Sequence, residues 1–182
     1  MLVVNVFGGP GVGKSTVAAG LFYRLKQDRR LAELVTEYAK DLTWENRDMA
    51  LQNQPSLLGE QHARLWRLRD KVDLVVTDSP LLLSVFYNQG RWAYLPALAE
   101  ELHRSFDSIN YFLLRDEKRK YDPRGRNQAT VEEAAKIDVA LREILRIRMI
   151  PVTEVPALDE HGRLADRVSW ILTDLEGRLD GD

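Results

Sequence analysis

The sequence predicts an α/β protein, built from a five-stranded parallel β-sheet with helices on both faces. Short runs of β-branched and aromatic residues alternate along the chain with longer amphipathic patterns. The short runs are apolar almost throughout, which is typical of strands that are covered on both faces. This alternation favours right-handed β-α-β crossovers and therefore a parallel sheet.

The strand and helix patterns follow one another in regular order. We predict strands over residues 2–7, 33–37, 73–77, 109–114 and 152–155. We predict helices over residues 14–27, about 46–70, 92–106, 131–147 and 164–178. Because ligands of such sheets bind beyond the carboxyl ends of the strands, we expect the functional residues to follow directly after strands.

Composition places the chain among ordinary globular proteins. It has 182 residues, of which 45% are hydrophobic and 30% are charged, and we expect a single domain over residues 1–182. No run approaches the ~18 apolar residues of a membrane span, and no basic leader precedes the first strand. We therefore expect a cytoplasmic protein without membrane contact.

Composition also limits the kinds of site. Cysteine is absent, which excludes disulfides and thiolate metal sites. The net charge of −2 does not indicate a nucleic-acid-binding protein, so any such role requires a local basic patch. Three histidines lack metal-ligand spacing and are expected at the surface: His62, His103 and His161.

A glycine-rich segment, GGPGVGKST, follows the first strand and precedes a helical pattern. It satisfies G-x-x-x-x-G-K-[ST], in which glycines let backbone N–H groups turn inward around an anion. We expect Lys14 to reach the β- and γ-phosphates and Ser15 to hold Mg²⁺. The alternative is a glycine-rich turn without a ligand. We assign nucleotide binding to nine residues: Gly8, Gly9, Pro10, Gly11, Val12, Gly13, Lys14, Ser15 and Thr16.

This context predicts a three-layer P-loop NTPase fold that binds ATP with Mg²⁺ at the amino end of the first helix, where the helix dipole is positive. A second acid strengthens the prediction, because Asp78 follows the strand DLVVT. A carboxylate at that position is placed to act in catalysis and to bind Mg²⁺ or its waters. Alternatively, Asp78 and Ser79 cap a helix that starts near Pro80.

A third acid, Glu37, ends the second predicted strand. It is expected at the same edge of the sheet, where it could accept the proton of an acceptor hydroxyl group. The alternative is a solvated helix cap. Tyr38 and Trp44 follow closely, and either ring could stack on a flat base or pack in the core.

A basic segment, residues 115–130, lies between the fourth strand and a predicted capping box at Thr130–Glu133. Its arginines suit phosphate oxygens, and a segment that covers the site would exclude water, which competes with the acceptor. We therefore predict an arginine-rich lid; the alternative is a solvated loop. Four of its arginines are candidate catalytic residues: Arg115, Arg119, Arg124 and Arg126.

Four segments together resemble small bacteriophage P-loop kinases of the thymidylate-kinase-like superfamily: FGGPGVGKST, LVTEYAKDLTW, VVTDSPLL, and YDPRGRNQ followed by EEAAKID. The chain is most similar to the 5-hydroxymethyluracil DNA kinases of that group, over most of residues 1–147. The resemblance implies a kinase that phosphorylates the hydroxymethyl group of a modified uracil within DNA, in a thymidine hypermodification pathway. It also implies that the protein acts in the cytoplasm of the host cell.

The resemblance also carries residue roles. It implies that Glu37 activates the acceptor hydroxyl, that Asp78 is the acid at the edge of the sheet, and that residues 124–126 belong to the lid. It implies a nucleotide and magnesium site at four residues: Gly8, Gly13, Lys14 and Ser15. The EYAK and TDSP segments also resemble nicotinamide riboside kinases and other nucleoside kinases.

A DNA acceptor would need further contacts. Arg64, Arg67 and Lys71 fall on one face of a helical pattern, which suits either a phosphate backbone or a solvated surface. A base in DNA must leave the stack or be presented on a single strand before it can reach a phosphate loop. Three tryptophans are candidates to receive it: Trp44, Trp66 and Trp92.

Three functions follow from the sequence. The first is a kinase of a nucleoside-type acceptor, most specifically hydroxymethyluracil in DNA. The second is a small-molecule kinase of a nucleoside, a deoxynucleotide or nicotinamide riboside. The third is an NTP-driven switch, for which the guanine-specific N-K-x-D element is absent from the sequence.

Overall fold

A computed structural model describes residues 1–116, 130–163 and 165–179. In this part of the chain, five parallel strands form one sheet in the order β2-β3-β1-β4-β5. The predicted fold class is confirmed, and each predicted strand is present with its ends shifted by at most two residues. The strands are β1 (Leu2–Phe7), β2 (Ala32–Val35), β3 (Leu74–Thr77), β4 (Asp107–Leu113) and β5 (Thr153–Val155).

Helices cover both faces of the sheet. On one face, Val4 and Val6 of β1 pack with Leu21 of the first helix and Ile171 of the last. The opposite face is covered through two further apolar clusters. The helices are α1 (Lys14–Gln27), α2 (Tyr38–Trp44), α3 (Asp48–Leu51), α4 (Gln54–Trp66), α5 (Leu83–Tyr87), α6 (Leu95–Arg104), α7 (Val131–Ile147) and α8 (Arg167–Leu179).

The position of β1 determines what surrounds the segment that follows it. β1 pairs with β3 on one side and with β4 on the other, with Val4 opposite both Val76 and Ile109. Because all the strands run in the same direction, the segments after β1, β2, β3 and β4 emerge at one edge of the sheet. The order along this edge is Glu37, Asp78, the glycine-rich segment and Arg115.

One predicted helix, about residues 46–70, proved wrong in its bounds. The region forms α3 and α4, which are separated at Asn53, where the side chain accepts the N–H of Ser56 and caps α4. Helix α4 ends at Trp66, and Asp70 adopts a left-handed φ of 59° in the turns that follow. The five predicted helices do not include the short helices α2 and α5, although a helix starting near Pro80 is one of the two alternatives given for Asp78. Each of these helices has a single buried side chain and hence no apolar periodicity.

The predicted start of α7 is confirmed. The Thr130 hydroxyl accepts the N–H of Glu133, and the Glu133 carboxylate accepts the N–H of Thr130. His103 departs from its predicted surface position, since only 5% of it is exposed. It follows Leu95 and Ala99 at intervals of four residues and therefore lies on the buried face of α6. Within the described residues, none of the helices is long and apolar enough to cross a bilayer.

A pair of buried asparagines joins the central strand, β1, to its neighbour β4. Asn5 donates from Nδ2 to Oδ1 of Asn110 over 2.9 Å, and Asn110 donates in turn to the Pro151 carbonyl over 3.0 Å. Both side chains are buried, so each hydrogen bond replaces water that cannot reach the site.

We predict that Asn5→Val destabilises the protein although valine favours strands. The substitution leaves Oδ1 of Asn110 buried without its donor, which costs about 1–3 kcal/mol. Urea unfolding monitored by circular dichroism measures the change. The double variant Asn5→Val/Asn110→Val is expected to recover part of the loss, and a single variant as stable as the wild type would contradict the prediction.

Candidate functional site

The candidate site is a cleft of about 350 Å³ at the carboxyl edge of the sheet. One end is formed by the glycine-rich segment and the start of α1. Glu37 and Ser79 flank its middle, and the short helices α2, α3 and α5, together with α4, form the far end. A single cavity therefore connects the predicted phosphate loop to a chamber on the β2–β3 side of the sheet.

The glycine-rich segment, residues 8–16, has the backbone that an anion cradle requires. Gly11 and Gly13 have φ values of 77° and 104°, in the left-handed region that favours glycine. Gly13 occupies the N-cap position of α1, so the first N–H groups of that helix point toward the cleft. Six of the nine predicted nucleotide-binding residues line the cleft: Pro10, Gly11, Gly13, Lys14, Ser15 and Thr16.

The other three of the nine lie behind the cradle. Val12 is buried in the apolar core beside α1. Gly8 packs closely against Val12, and the Gly9 N–H donates to the Asp138 carboxylate. These residues therefore shape the loop from its outer side, and the cleft contacts come from the inner side.

Lys14 lies in the cleft with its ammonium group near two carboxylates. Its Nζ donates to the Gly9 carbonyl over 3.3 Å. Burial lowers the pKa of Lys14, and the negative charges of Glu37 and Asp78 oppose that decrease. The structure thus brings together the three groups that the sequence placed at one edge: Lys14, Glu37 and Asp78.

Asp78 is buried directly after β3, with 3% of it exposed. Its Oδ1 atom has no hydrogen-bond partner among the described residues. The capping alternative is wrong, because α5 begins at Leu83, three residues beyond Pro80, and no side chain caps it. Asp78 directly precedes Ser79, which lines the cleft, and a buried carboxylate oxygen without a donor is an acceptor that needs a partner.

The residues present fit a bound Mg²⁺. Mg²⁺ is held in phosphate-transfer sites by one or two protein oxygens together with substrate phosphates and waters. Asp78 offers its unpaired carboxylate oxygen, and Ser15 offers its hydroxyl in the cleft. Within the described residues, no three or more histidine, aspartate or glutamate side chains are grouped so that they could hold a metal ion by themselves.

Glu37 lies between the loop and the far chamber. It is half-buried at the N-cap position of α2, yet its side chain makes no capping hydrogen bond. Burial raises the pKa of Glu37 above its ordinary value, while the charge of Lys14 opposes the increase. A carboxylate with a raised pKa binds a proton more strongly, which suits a group that accepts one from a hydroxyl.

Gln61 of α4 holds the backbone on both sides of Glu37. Its Oε1 accepts the N–H of Tyr38 over 3.1 Å, and its Nε2 donates to the Thr36 carbonyl over 3.2 Å. Gln61 is 5% exposed. The side chain amide therefore fixes the two peptide groups that orient Glu37.

The far chamber has apolar, aromatic and uncharged polar walls. The aromatic rings of Tyr38, Trp44 and Tyr87 border it, and Trp44 is 64% exposed. Polar contacts are offered by the amide groups of Gln54 and Gln61. Its apolar wall consists of four leucines: Leu51, Leu57, Leu81 and Leu83.

The other two candidate tryptophans are placed differently. Trp66 stacks with the guanidinium of Arg69, 4.4 Å from the ring centroid, and packs near Phe106. Phe106 directly precedes β4, at the edge of the sheet opposite the cleft. The backbone N–H of Trp92 is bound by Asn88, outside the cleft lining. Of the three, Trp44 is the one at the site.

The predicted basic helix face is wrong. Lys71 lies beyond the end of α4, and the turn at Asp70 breaks the periodicity. Arg64 points to acids rather than outward, with its guanidinium 3.2 Å from both Asp41 and Glu60. The described residues of this region therefore form no continuous cationic helix face for a phosphate backbone.

The structure describes one of the four candidate lid arginines. Arg115 is turned behind the phosphate loop, where Nε donates to Asp138 over 2.6 Å and Nη2 donates to the Pro10 carbonyl over 2.9 Å. The remaining three lie outside the described residues: Arg119, Arg124 and Arg126.

A family model described as an AAA domain matches residues 3–167. The chain belongs to this AAA domain family. The matched range includes the glycine-rich segment, Glu37 and Asp78, and ends at Arg167. No curated protein matches the chain at a significant level.

Solved structures with the same fold include several kinases. The AAA domain is similar to a deoxyadenosine kinase from M. mycoides, with a TM-score of 0.57 and 16% identity over 96% of this chain and 99% of that one. For a thymidylate kinase from Ehrlichia chaffeensis the TM-score is 0.57 with 13% identity, covering 98% of both chains. A shikimate kinase from Aquifex aeolicus gives a TM-score of 0.50 with 18% identity, covering 99% of both chains. These likenesses show a shared fold.

Sequence reasoning missed three residues that support the site of this AAA domain: Gln61, Asp138 and Arg167. Gln61 occurs between Leu58 and Leu65 on the buried face of α4. Asp138 occurs with Ile137 and Leu141 on the buried face of α7. A polar residue on an apolar helix face must find a buried partner, and this signal was present in the sequence. No such pattern in the sequence indicated a buried role for Arg167.

We predict that Glu37→Gln lowers phosphate transfer by about 10²–10⁴-fold with little change in nucleotide affinity, because glutamine cannot accept a proton. The wild-type rate should fall as the pH decreases through the raised pKa of Glu37, above its ordinary value of 4.5. The rate of the glutamine variant should stay flat over the same range. Steady-state kinetics measures the transfer rate, and nucleotide titration measures the affinity. Equal pH profiles for the two proteins would show that Glu37 does not accept the proton.

We predict that Gln61→Met lowers kcat about tenfold, which corresponds to ~1.4 kcal/mol, and leaves KM for ATP unchanged. Methionine fills the space but holds neither peptide group beside Glu37. Gln61→Glu, which still accepts from Tyr38 but cannot donate to Thr36, should give an intermediate loss. A methionine variant that loses stability while each folded molecule turns over at the wild-type rate would contradict the prediction.

Proposed function

We propose that this chain is an ATP- and Mg²⁺-dependent kinase that transfers the γ-phosphate to a hydroxyl group of a small, uncharged acceptor of nucleoside type. One observation carries the proposal. A continuous cleft leads from the phosphate loop, past Glu37, into a chamber walled by aromatic rings, leucines and amide groups. Donor and acceptor would meet beside a carboxylate with a raised pKa.

The shared fold supports a kinase but leaves the acceptor open. The similar solved structures are described as kinases of deoxyadenosine, thymidylate and shikimate, which are three chemically different acceptors. The acceptor must therefore be argued from the walls of the far chamber of this chain.

The chamber walls favour an uncharged acceptor. A phosphate or carboxylate on the acceptor is suited by arginine, whose planar group binds two oxygens at once. Among the described residues that line the cleft, the cations are Lys14, at the phosphate loop, and Lys40, which is exposed. The amide groups of Gln54 and Gln61 and the rings of Tyr38 and Trp44 suit a flat, hydrogen-bonding base.

Each residue of the site has a role in this proposal. Backbone N–H groups of the loop and the ammonium of Lys14 bind the donor phosphates. Asp78 and Ser15 would hold Mg²⁺, which when bound neutralises charge on the phosphates. The oxygen of the acceptor hydroxyl bonds to the γ-phosphorus, and ADP leaves. Glu37 accepts the proton that the hydroxyl loses in this step. Positioning and charge neutralisation supply most of the rate enhancement.

A cleft of about 350 Å³ lies near the lower end of small-molecule sites, which span ~300–1,000 Å³. In the proposed function, a free nucleoside would enter the far chamber of this cleft directly. Hydroxymethyluracil in DNA, the acceptor implied by the sequence resemblance, would have to enter as one extruded or single-stranded base, with exposed Trp44 at the cleft. The same experiment tests both acceptors.

The test incubates the protein with γ-labelled ATP, Mg²⁺ and one acceptor at a time. The panel contains nucleosides, their 5′-monophosphates, shikimate, a hydroxymethyluracil oligonucleotide and an unmodified one. We expect label on a nucleoside and little on monophosphates or shikimate. Label on the modified oligonucleotide alone would establish the DNA acceptor instead. Hydrolysis of ATP without any labelled acceptor would support the NTP-driven switch and contradict the kinase.

We predict that Lys14→Ala abolishes transfer and retains the fold, because Lys14 contributes its charge to the cleft rather than to the core. Circular dichroism checks the fold, and the transfer assay checks the activity. Lys26→Ala is the matched control, since Lys26 is an exposed lysine near the other end of the same helix. A folded Lys14→Ala protein with wild-type transfer would contradict the assignment of the loop.

A further inference from the structure

Three charged side chains hold the outer side of the phosphate loop. They come from the segment after β4, from α7 and from the start of α8, and none of the three is among the described residues that line the cleft. We call this group the outer brace: Arg115, Asp138 and Arg167.

Arg115 and Asp138 form one half of the outer brace. Asp138 accepts the Gly9 N–H with Oδ1 and the Arg115 Nε–H with Oδ2. Arg115 then donates from Nη2 to the Pro10 carbonyl over 2.9 Å. The side chains of this ion pair are 10% and 8% exposed, so both charges depend on each other and on the loop.

Arg167 forms the other half. Its Nη1 donates to the Val12 carbonyl over 2.7 Å. The same guanidinium donates to the carbonyls of Leu114 and Pro156, which follow β4 and β5. A single side chain therefore ties the loop to the ends of two strands on the opposite side of the loop from Asp78.

Gly9 shows how closely α7 approaches the loop. A Cβ atom at this position would lie 2.6 Å from Oδ1 of Asp138 and 2.9 Å from the Ala134 carbonyl. Neither distance is compatible with a side chain. The loop and α7 thus fit together only because residue 9 is glycine.

The geometry of an anion cradle explains why such a brace is needed. When backbone N–H groups turn toward an anion, the carbonyls between them turn outward. Outward carbonyls that are shielded from water must accept hydrogen bonds from the protein. Guanidinium groups provide several donors in a fixed plane, so they hold more than one carbonyl and limit the freedom of the loop before ligand arrives.

We propose that the outer brace positions the phosphate loop for triphosphate binding, so that Arg115, Asp138 and Arg167 are positioning residues for the donor. The inference rests on the nucleotide-binding half of the proposed function and is independent of the acceptor. It assigns Arg115 to the loop, in place of a direct role on the transferring phosphate.

The test measures binding of ATP, and of inorganic tripolyphosphate, by calorimetry with Mg²⁺ present. Three variants are expected to raise both dissociation constants at least tenfold: Arg115→Met, Arg167→Met and Asp138→Asn. In each variant the loop is less ordered before binding, so part of the binding free energy is lost in ordering it. KM for the acceptor should stay within twofold. Arg142→Met is the matched control, since Arg142 lies one turn after Asp138 on α7 and pairs with exposed Glu154 over 3.4 Å. Its affinities should equal those of the wild type.

Folded variants that bind both ligands within twofold of the wild type would overturn the proposal, even if they melt at a lower temperature. If the methionine variants do not fold, Arg115→Lys and Arg167→Lys are measured instead, with the same results supporting or overturning the proposal. Lysine keeps the positive charge but lacks the planar set of donors that binds more than one oxygen. Failure of the nucleotide-binding half of the proposed function is distinguishable, because in that case the wild type itself would bind neither ligand.

Discussion

Parallel pairing of β1 with β3 on one side and β4 on the other is the constraint on which the site depends. It places the phosphate loop at the centre of the carboxyl edge, with Asp78 beside it and Glu37 one strand further on. On the other side, the segment after β4 brings Arg115 to the back of the loop. The carboxylate beside the loop thus follows β3, and the arginine that holds the back of the loop follows β4.

Electrostatics couples the groups on the catalytic side. Burial favours the neutral forms of both Lys14 and Glu37, lowering the pKa of the lysine and raising that of the glutamate. Each charge partly offsets the effect of burial on the other. Donor phosphates would add negative charge beside Lys14, which favours its protonated form. Perturbed pKa values in buried groups of opposite charge are a feature that many functional sites share.

The two halves of the cleft are built differently. The phosphate-loop end has a backbone cradle whose outer groups are held by one buried ion pair and by guanidinium donors. The far chamber is formed by the short helices α2, α3 and α5 together with α4. Gln61 links these halves, because it holds the peptide groups around Glu37 from within α4.

The sequence by itself determined the sheet, the main helices and the loop, because each is encoded by local periodicity, by glycine spacing or by a capping box. It also indicated Glu37 and Asp78 through their positions after strands. Only the tertiary structure decided which polar residues on helix faces turn inward, as Gln61 and Asp138 do, and where α4 ends. It also decided that Arg115 faces the back of the loop. These outcomes depend on contacts between residues distant in the chain, such as Gly9 with Asp138, which no local pattern records.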